Sequence, residues 1–331
     1  MNQQHPKPMS EQRCLYCYQP LSAVDAAGKN VETSFHERCS KRMFGAATPP
    51  ILDYTNDQML DLAQHIIQSQ VTVTGVQPKL SLGLAKNGKP QLQNKLSIMG
   101  VWGEYILKPP TTIYRELPEL EDVTMHLASI AGLQTVPHTL IRLASGELAY
   151  LTKRIDRAGR TKFAMEDMCQ LTERLTEAKY RGSYEQIGKA IANYSAIPGL
   201  DIINFFEVVV FSFLTGNNDM HMKNFSLWKG PSNRYQLSPA YDLVAAALVV
   251  EGDDEELALN LDGRKKRLTR KNFNAAMQRF NLDQRSFDNI FSRFAKALPK
   301  WHDFLELSFI SAELKASYHA MLDQKAAQIN L

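Results

Sequence analysis

The sequence predicts an α+β fold in two lobes, a small β-rich lobe carrying one helix and then a larger α-helical lobe, behind a small N-terminal Cys/His knuckle. Three observations carry this. Between about 69 and 156, apolar residues alternate with polar or small ones, the period of strands. After 156 they recur at three- and four-residue steps, the period of helices. Finally, 331 residues at 44% hydrophobic and 22% charged are ordinary globular usage, enough to build a core without staples. The expected domains are 1–48 for the knuckle, 49–156 for the small lobe and 157–331 for the large lobe.

Taken in order, the first ten residues are polar, and 11–45 hold three of the four cysteines. The run from Ala46 to Pro50 ends in paired prolines and reads as a linker. Thr55 with Gln58 three residues on is a capping-box pattern, and Leu60, Ala63 and Ile67 continue one helical face. Val71, Val73, Leu80, Leu82 and Leu84 alternate, and Asn87-Gly88 is a hairpin turn signal. Glu104–Lys108 is a strand ended by Pro109-Pro110. A helix follows from about Pro118 to Ile130, with Gly132 behind it. Strands are expected near His138–Arg142, Glu147–Ile155 and Tyr235–Leu237. Ile203, Phe206, Val210 and Phe213 mark a helix that Gly216 closes, and further helices fit Tyr184–Tyr194, Thr269–Arg279, Asp283–Lys296 and Ala312–Ile329.

A formal net charge of +3 is too mild to make phosphate-backbone binding the default, so no direct nucleic-acid partner is expected. No apolar run is long enough for a membrane span, so no membrane partner is expected. The opening MNQQHPKPMS has no apolar stretch, which argues against a secretory signal, and a cytoplasmic location is expected. Four cysteines do not make a disulfide framework in a chain this long.

The sharpest stretch is Gly216–Phe225, GNNDMHMKNF, directly after the apolar helix. An aspartate followed five residues later by an asparagine suits a phosphotransferase loop: the Asp219 carboxylate orients the attacking hydroxyl and the Asn224 amide oxygen ligates a metal. Tyr241-Asp242-Leu243 supplies the second carboxylate that such a site needs. Asx-rich turns without chemistry are common, so the pair of motifs carries more than either alone. Upstream, Lys108 ends an apolar strand and Glu119, Glu121 and Asp122 follow on a helix, as a phosphate-binding lysine and its carboxylate partner would. Thr72–Lys79 holds one glycine, Gly75, and is neither a Walker loop nor GxGxxG. If it covers ATP, its backbone N–H groups and Lys79 face the phosphates.

In this order, GVQPKLSL, YILKPP, KRIDR, MEDMCQ, GNNDMHMKNFSL and LSPAYDL resemble the HipA family of bacterial serine/threonine kinases, and most the short HipT branch of HipB–HipS–HipT modules. The resemblance runs from about Thr72 to the C-terminus. It implies Asp219 as catalytic base, Asn224 and Asp242 as Mg²⁺ ligands, Lys108 on the ATP phosphates and Glu121 as its helix partner. Lys153 and Ile155 would meet adenine through their backbone, and Gly75, Lys79 and His221 complete the nucleotide-contacting set. Autophosphorylation would fall on Thr72 and Thr74, where the HipT branch has two serines. The resemblance further implies an aminoacyl-tRNA synthetase as substrate, a toxin role, and HipS-like or HipB-like antitoxin partners. Two rivals stand beside it. One is a phosphoinositide-type lipid kinase, which shares the Asp-x-His-x-x-Asn loop; the other is a catalytically silent nucleotide-binding protein.

Cys14-x2-Cys17-x18-His36-x2-Cys39 has the spacing of a Cys3His zinc module, with Leu15 and Phe35 as its apolar residues. A degenerate knuckle without metal is the alternative. Cys169 stands outside the set and reads as a small buried hydrophobe. The basic run Arg264–Arg267 lacks interleaved aromatics and reads as a solvated loop entering a helix capped by Thr269.

Overall fold

The computed structural model describes residues 12–21, 34–68, 78–85, 94–99, 102–159 and 161–331. Thr72, Thr74, Gly75 and the Asn87-Gly88 turn lie outside these residues. The described residues fall into two compact units. One takes the chain up to Thr111 together with Pro137–Arg154; the other takes Thr112–Val136 and Ile155–Leu331.

The first unit begins with a tight turn around Cys14–Cys17 and helix α1 (Glu37–Phe44), then α2 (Asn56–Gln68). The capping box forms at α2: Thr55 N–H donates to Gln58 Oε1 at 3.0 Å and Gln58 N–H donates back to Thr55 Oγ1 at 3.3 Å. Strands β1 (Leu80–Ala85), β2 (Lys95–Ile98), β3 (Tyr105–Lys108), β4 (His138–Arg142) and β5 (Leu148–Lys153) make one antiparallel sheet in the order β2-β1-β3-β5-β4. Leu80, Leu82, Leu107, Leu140, Ala149 and Leu151 are buried along it. Four successive residues of β4 and of β5 are buried, so alternation of exposure holds only toward the β2 side of the sheet and these strands are covered on both faces.

In the second unit, α3 (Leu117–Ile130) is followed after Arg154 by a two-stranded ribbon, β6 (Arg157–Ala158) with β7 (Thr161–Lys162). Next come β8 (Met165–Asp167), the short α4 (Met168–Leu171), α5 (Tyr184–Tyr194) and α6 (Pro198–Leu214). Helix α6 is buried nearly all round: Phe205, Phe206, Val209, Val210, Phe211, Phe213 and Leu214 are core. Strands β9 (Ser226–Lys229) and β10 (Tyr235–Leu237) add to β8 in a three-stranded sheet, β10-β9-β8. Buried Asp201 ties this sheet to α6, accepting from the Leu237 N–H at 2.7 Å.

Helices α7 (Arg270–Gln278), α8 (Gln284–Glu306) and α9 (Ala312–Gln328) complete the unit. Thr269 and Asn272 form the capping box of α7, and Lys265 and Lys266 of the basic run pair with Glu255 and Asp254. Helix α8 overruns its expected end at Lys296 and continues through Pro299 to Glu306. Pro299 is exposed, so water can meet the carbonyl it leaves unpaired. The buried stripe of Phe287, Ile290, Phe291, Phe294 and Ala297 meanwhile continues through Trp301 and Leu305. Trp301 Nε1–H donates to the Leu127 carbonyl of α3 at 2.8 Å, which anchors that continuation. Cys169 is 1% exposed, as expected of a buried hydrophobe. No helix among the described residues is long and apolar enough to cross a membrane.

Candidate phosphotransfer site

The 216–225 loop is built by the way α6 ends. The Thr215 hydroxyl and N–H both bond back to the Phe211 carbonyl, and Gly216 turns the chain at φ 64°. A Cβ on Gly216 would sit 2.4 Å from Met321 Sδ, the movable end of a flexible side chain, and 3.1 Å from Ala247 Cβ, so it is the left-handed backbone that favours glycine here. The loop then closes on itself. His221 N–H donates to the Asp219 carbonyl at 2.8 Å, and Asn224 N–H to the His221 carbonyl at 3.0 Å within a 3-10 turn over Met222–Asn224.

Asn224 is oriented by the same carbonyl. Its Nδ2–H donates to the Asp219 carbonyl oxygen at 3.1 Å. A carbonyl can only accept, so the nitrogen end is committed there and Oδ1 is the end left to accept or to ligate. The two residues expected to act together are thus held together by the backbone of one and the amide of the other. The Asp219 carboxylate itself is half-buried, and Oδ1 accepts from the Tyr180 hydroxyl at 2.5 Å. Burial, and then Asp219, hold the Tyr180 phenol well above its ordinary pKa, so it is a donor.

Asp242 comes from the segment after β10. It adopts a left-handed φ of 54°, which aspartate tolerates better than most residues. Its neighbour Tyr241 ties the segment to the loop: the hydroxyl donates to the Lys223 carbonyl at 3.0 Å and lies 2.6 Å from Ser226 Oγ. A phenol carries one proton, so the Ser226 hydroxyl donates to Tyr241 in turn. His221 feels both carboxylates. Burial nonetheless dominates and lowers its pKa to about 4, leaving a neutral imidazole whose buried Nδ1 has no partner among the described residues. Lys223 is taken by Asp167, 2.6 Å from its Nζ, and Asp167 also caps α4.

Sequence reasoning missed Tyr180, which lies 39 residues before Asp219, and Asp167 as the partner of Lys223. MEDMCQ contains Asp167, but no spacing rule points from it to the loop. Tyr180 sits in an irregular segment with no periodic signal.

The other expected site residues stand as follows. In the first unit, Lys108 is 3% exposed at the end of β3, with Nζ 5.4 Å from the ring centroid of Tyr150, its cross-strand neighbour. Lys153 ends β5 opposite Tyr105, and its N–H is already given to the Pro137 carbonyl at 2.8 Å. Lys79 is exposed just before β1. In the second unit, Ile155 is half-buried where the chain re-enters it, and Glu121 is 1% exposed on α3. Next to it, burial pushes the Glu119 carboxyl up to about 7, with Glu116 and Asp122 adding to the effect.

Cys14, Cys17, His36 and Cys39 also come together, with one ligand atom of each within 4.8 Å of all the others. Their thiols compete for one small volume. A hydrogen bond with Cys17, and then burial, push the Cys14 thiol up to about 12, while the same bond lowers Cys17.

The model of the HipA-like C-terminal domain family matches residues 71–302, which include the Asp219 loop and Asp242. The chain belongs to this family. Among curated members, the chain is 33% identical over 207 residues to "Putative kinase Y4dM" of Sinorhizobium fredii, covering 59% of this chain and 49% of that protein. It is 24% identical over 247 residues to a "Putative kinase" of Haemophilus influenzae, covering 71% and 68%. The chain therefore spans about half the length of the first of these relatives. Its fold is that of HipA in the Shewanella oneidensis HipA–HipB–operator DNA complex, with a TM-score of 0.66 at 20% identity over 81% of this chain and 71% of that one. The Helicobacter pylori proinflammatory kinase CtkA shares it at a TM-score of 0.52 and 17% identity, over 76% and 93%.

Proposed function

We propose that this HipA-like chain is an ATP- and Mg²⁺-dependent serine/threonine protein kinase. The observation that carries the reading is the Asp219–Asn224 loop. One backbone carbonyl orients the Asn224 amide, and Tyr241 binds that loop to the segment bearing Asp242. This is the donor set of a phosphotransferase: a carboxylate for the attacking hydroxyl, and an amide oxygen with a second carboxylate for the metal. Asn224 Oδ1 and Asp242 would hold Mg²⁺, which when bound neutralises phosphate charge. A hydroxyl arriving at Asp219 replaces the Tyr180 donor or shares the second carboxylate oxygen, and Asp219 takes its proton. His221 stays neutral and so adds no positive charge. By the family resemblance, Lys108, Lys79 and Gly75 are the residues proposed to take the ATP phosphates, and Glu121 is the proposed partner of Lys108. Because the Lys153 N–H is committed to Pro137, adenine is met by the Lys153 carbonyl and the Ile155 N–H.

The substrate class we propose is an aminoacyl-tRNA synthetase, with a toxin role restrained by a HipS-like or HipB-like antitoxin. The HipA–HipB assembly of the structural relative supports an antitoxin partner. Self-phosphorylation at Thr72 and Thr74 would place close to two negative charges per site beside the ATP phosphates and act as an off-switch. The Cys14–Cys17–His36–Cys39 set supplies no group to this chemistry.

Incubation of the full chain with labelled ATP and a bacterial lysate tests the reading. The wild type should transfer label to serine or threonine of a protein, and mass spectrometry should find phosphate at Thr72 above Thr74. Asp219→Asn should transfer none while melting as the wild type does. Equal labelling by both proteins would overturn it.

A further inference from the structure

We propose that Cys14, Cys17, His36 and Cys39 bind one Zn²⁺, and that this ion staples the N-terminal segment onto the outer edge of the five-stranded sheet. The proposal is independent of the kinase reading.

His36 Nε2 lies 3.0 Å from the Pro20 carbonyl oxygen. A carbonyl only accepts, so Nε2 carries the hydrogen and Nδ1 presents a lone pair. That lone pair faces the thiols: Nδ1 is 3.4 Å from Cys17 Sγ and 3.9 Å from Cys39 Sγ. Tetrahedral zinc with bonds of about 2.0–2.3 Å separates its ligand atoms by roughly 3.5–3.8 Å, so the four donors already stand close to coordination spacing. An outer hydrogen bond that fixes the ligand tautomer is the usual companion of a zinc-bound histidine.

The backbone around the thiols is also shaped for thiolates. Cys14–Cys17 is a tight turn in which Tyr18 N–H returns to the Cys14 carbonyl at 2.8 Å and Tyr18 takes φ 61°. The His36 N–H donates to Cys14 Sγ at 3.4 Å across 22 residues of sequence. His36 is the residue before α1, and Cys39 lies in its first turn, so helix geometry sets the second ligand pair. All four cysteines of the chain are free thiols.

What the ion would hold in place follows from the sheet order. β4 is an edge strand, and an edge exposes unpaired backbone groups unless something covers it. Here the cover is the turn between Cys14 and Cys17. The Leu15 carbonyl accepts from the Leu140 N–H at 3.3 Å and from the Thr139 hydroxyl at 3.0 Å. On the other side of the cluster, Phe44 of α1 packs against Phe35 and Tyr105, and the Tyr105 hydroxyl donates to the Met43 carbonyl at 3.3 Å. The segment's own apolar core is small, made of Leu15, Tyr18, Leu21, Phe35, Met43 and Phe44, and small segments of this kind commonly add a metal or a disulfide. Zinc would join the two arms that reach β4 and β3.

The test uses the full chain purified without chelator. Elemental analysis should give one zinc per chain for the wild type and for Cys169→Ser, and a clear loss for Cys17→Ser and His36→Ala. Wild-type protein stripped of metal and titrated with Co²⁺ should develop the visible bands of a tetrahedral thiolate site, a readout that needs no variant to fold. Hydrogen exchange at Leu140 should quicken at least tenfold on stripping and recover on adding Zn²⁺. Absence of both zinc and the Co²⁺ spectrum, or zinc retained equally in Cys17→Ser, would overturn the site. Unchanged exchange at Leu140 in stripped protein would overturn the staple.

Discussion

Removing one oxygen, in Tyr241→Phe, tests whether the Asp219 loop and the Asp242 segment work as one device. The hydroxyl donates to the Lys223 carbonyl at 3.0 Å and receives the Ser226 hydroxyl at 2.6 Å. Phenylalanine keeps the ring and its packing, so the change isolates those two bonds. It leaves the Lys223 carbonyl without its donor and strands the hydroxyl of Ser226, which is 2% exposed. An unmatched buried polar group costs about 1–3 kcal/mol, so the pair should cost roughly 2–6 kcal/mol. In domains of about 150–250 residues each kcal/mol lowers Tm by about 2–4 °C, which puts the expected loss at about 4–24 °C. The functional effect should exceed simple destabilisation. Lys223 precedes Asn224 and Tyr241 precedes Asp242, so the lost bond joins the two segments that bear the proposed Mg²⁺ ligands. Phosphoryl transfer measured well below Tm should demand more Mg²⁺, with a rate lower by about tenfold, the equivalent of 1.4 kcal/mol. Thermal melting and a Mg²⁺ titration of the initial rate, run side by side, read both effects. A Tm within about 1 °C of wild type together with an unchanged Mg²⁺ requirement would refute the reasoning.

Asp242→Ala should weaken Mg-ATP binding far more than adenosine binding, because a metal bridges phosphates and not the base; calorimetry showing equal losses would remove Asp242 from the metal. His221, lowered from 6.5 to about 4 by burial, binds fewer protons folded than unfolded between those values. Its stabilising contribution is therefore complete above pH 6.5 and lost as pH falls to about 4, worth up to roughly 3 kcal/mol. His221→Gln should flatten that part of the Tm-against-pH curve, although Glu119, pushed up to about 7, acts in the opposite sense in both proteins; parallel curves for the two would contradict the assignment.

The elements were legible wherever one periodicity ran uninterrupted. Strand patterns located β1, β3, β4 and β5, and helical steps located α3 and α5 nearly to the residue and the end of α6 but not its start at Pro198, because these patterns reflect which residues face a core. Local chemistry was as readable: the Thr55 and Thr269 caps, the Gly216 turn and each close pair, Cys14 with Cys17 and His36 with Cys39, depend on residues within one turn of chain. What stayed hidden depends on distant partners. The passage of α8 through Pro299 required the Trp301 bond to the Leu127 carbonyl, across 174 positions. Short β8 and β9 are strands because they pair with each other, since neither holds enough residues to show a period.

The same division runs through the site. The proposal that Asp219, Asn224 and Asp242 share one chemistry rests on their types and order along the chain. That Tyr180 caps Asp219, that Tyr241 clamps the loop and that burial keeps His221 neutral could not be read from either. A sequence carries donors, acceptors and charges as a list, whereas a hydrogen bond or a desolvated imidazole exists only once folding has set the distance and removed the water. By itself the sequence determined which groups are present and which backbone segments hold them; the tertiary structure decided which are already paired, and so which remain available for chemistry.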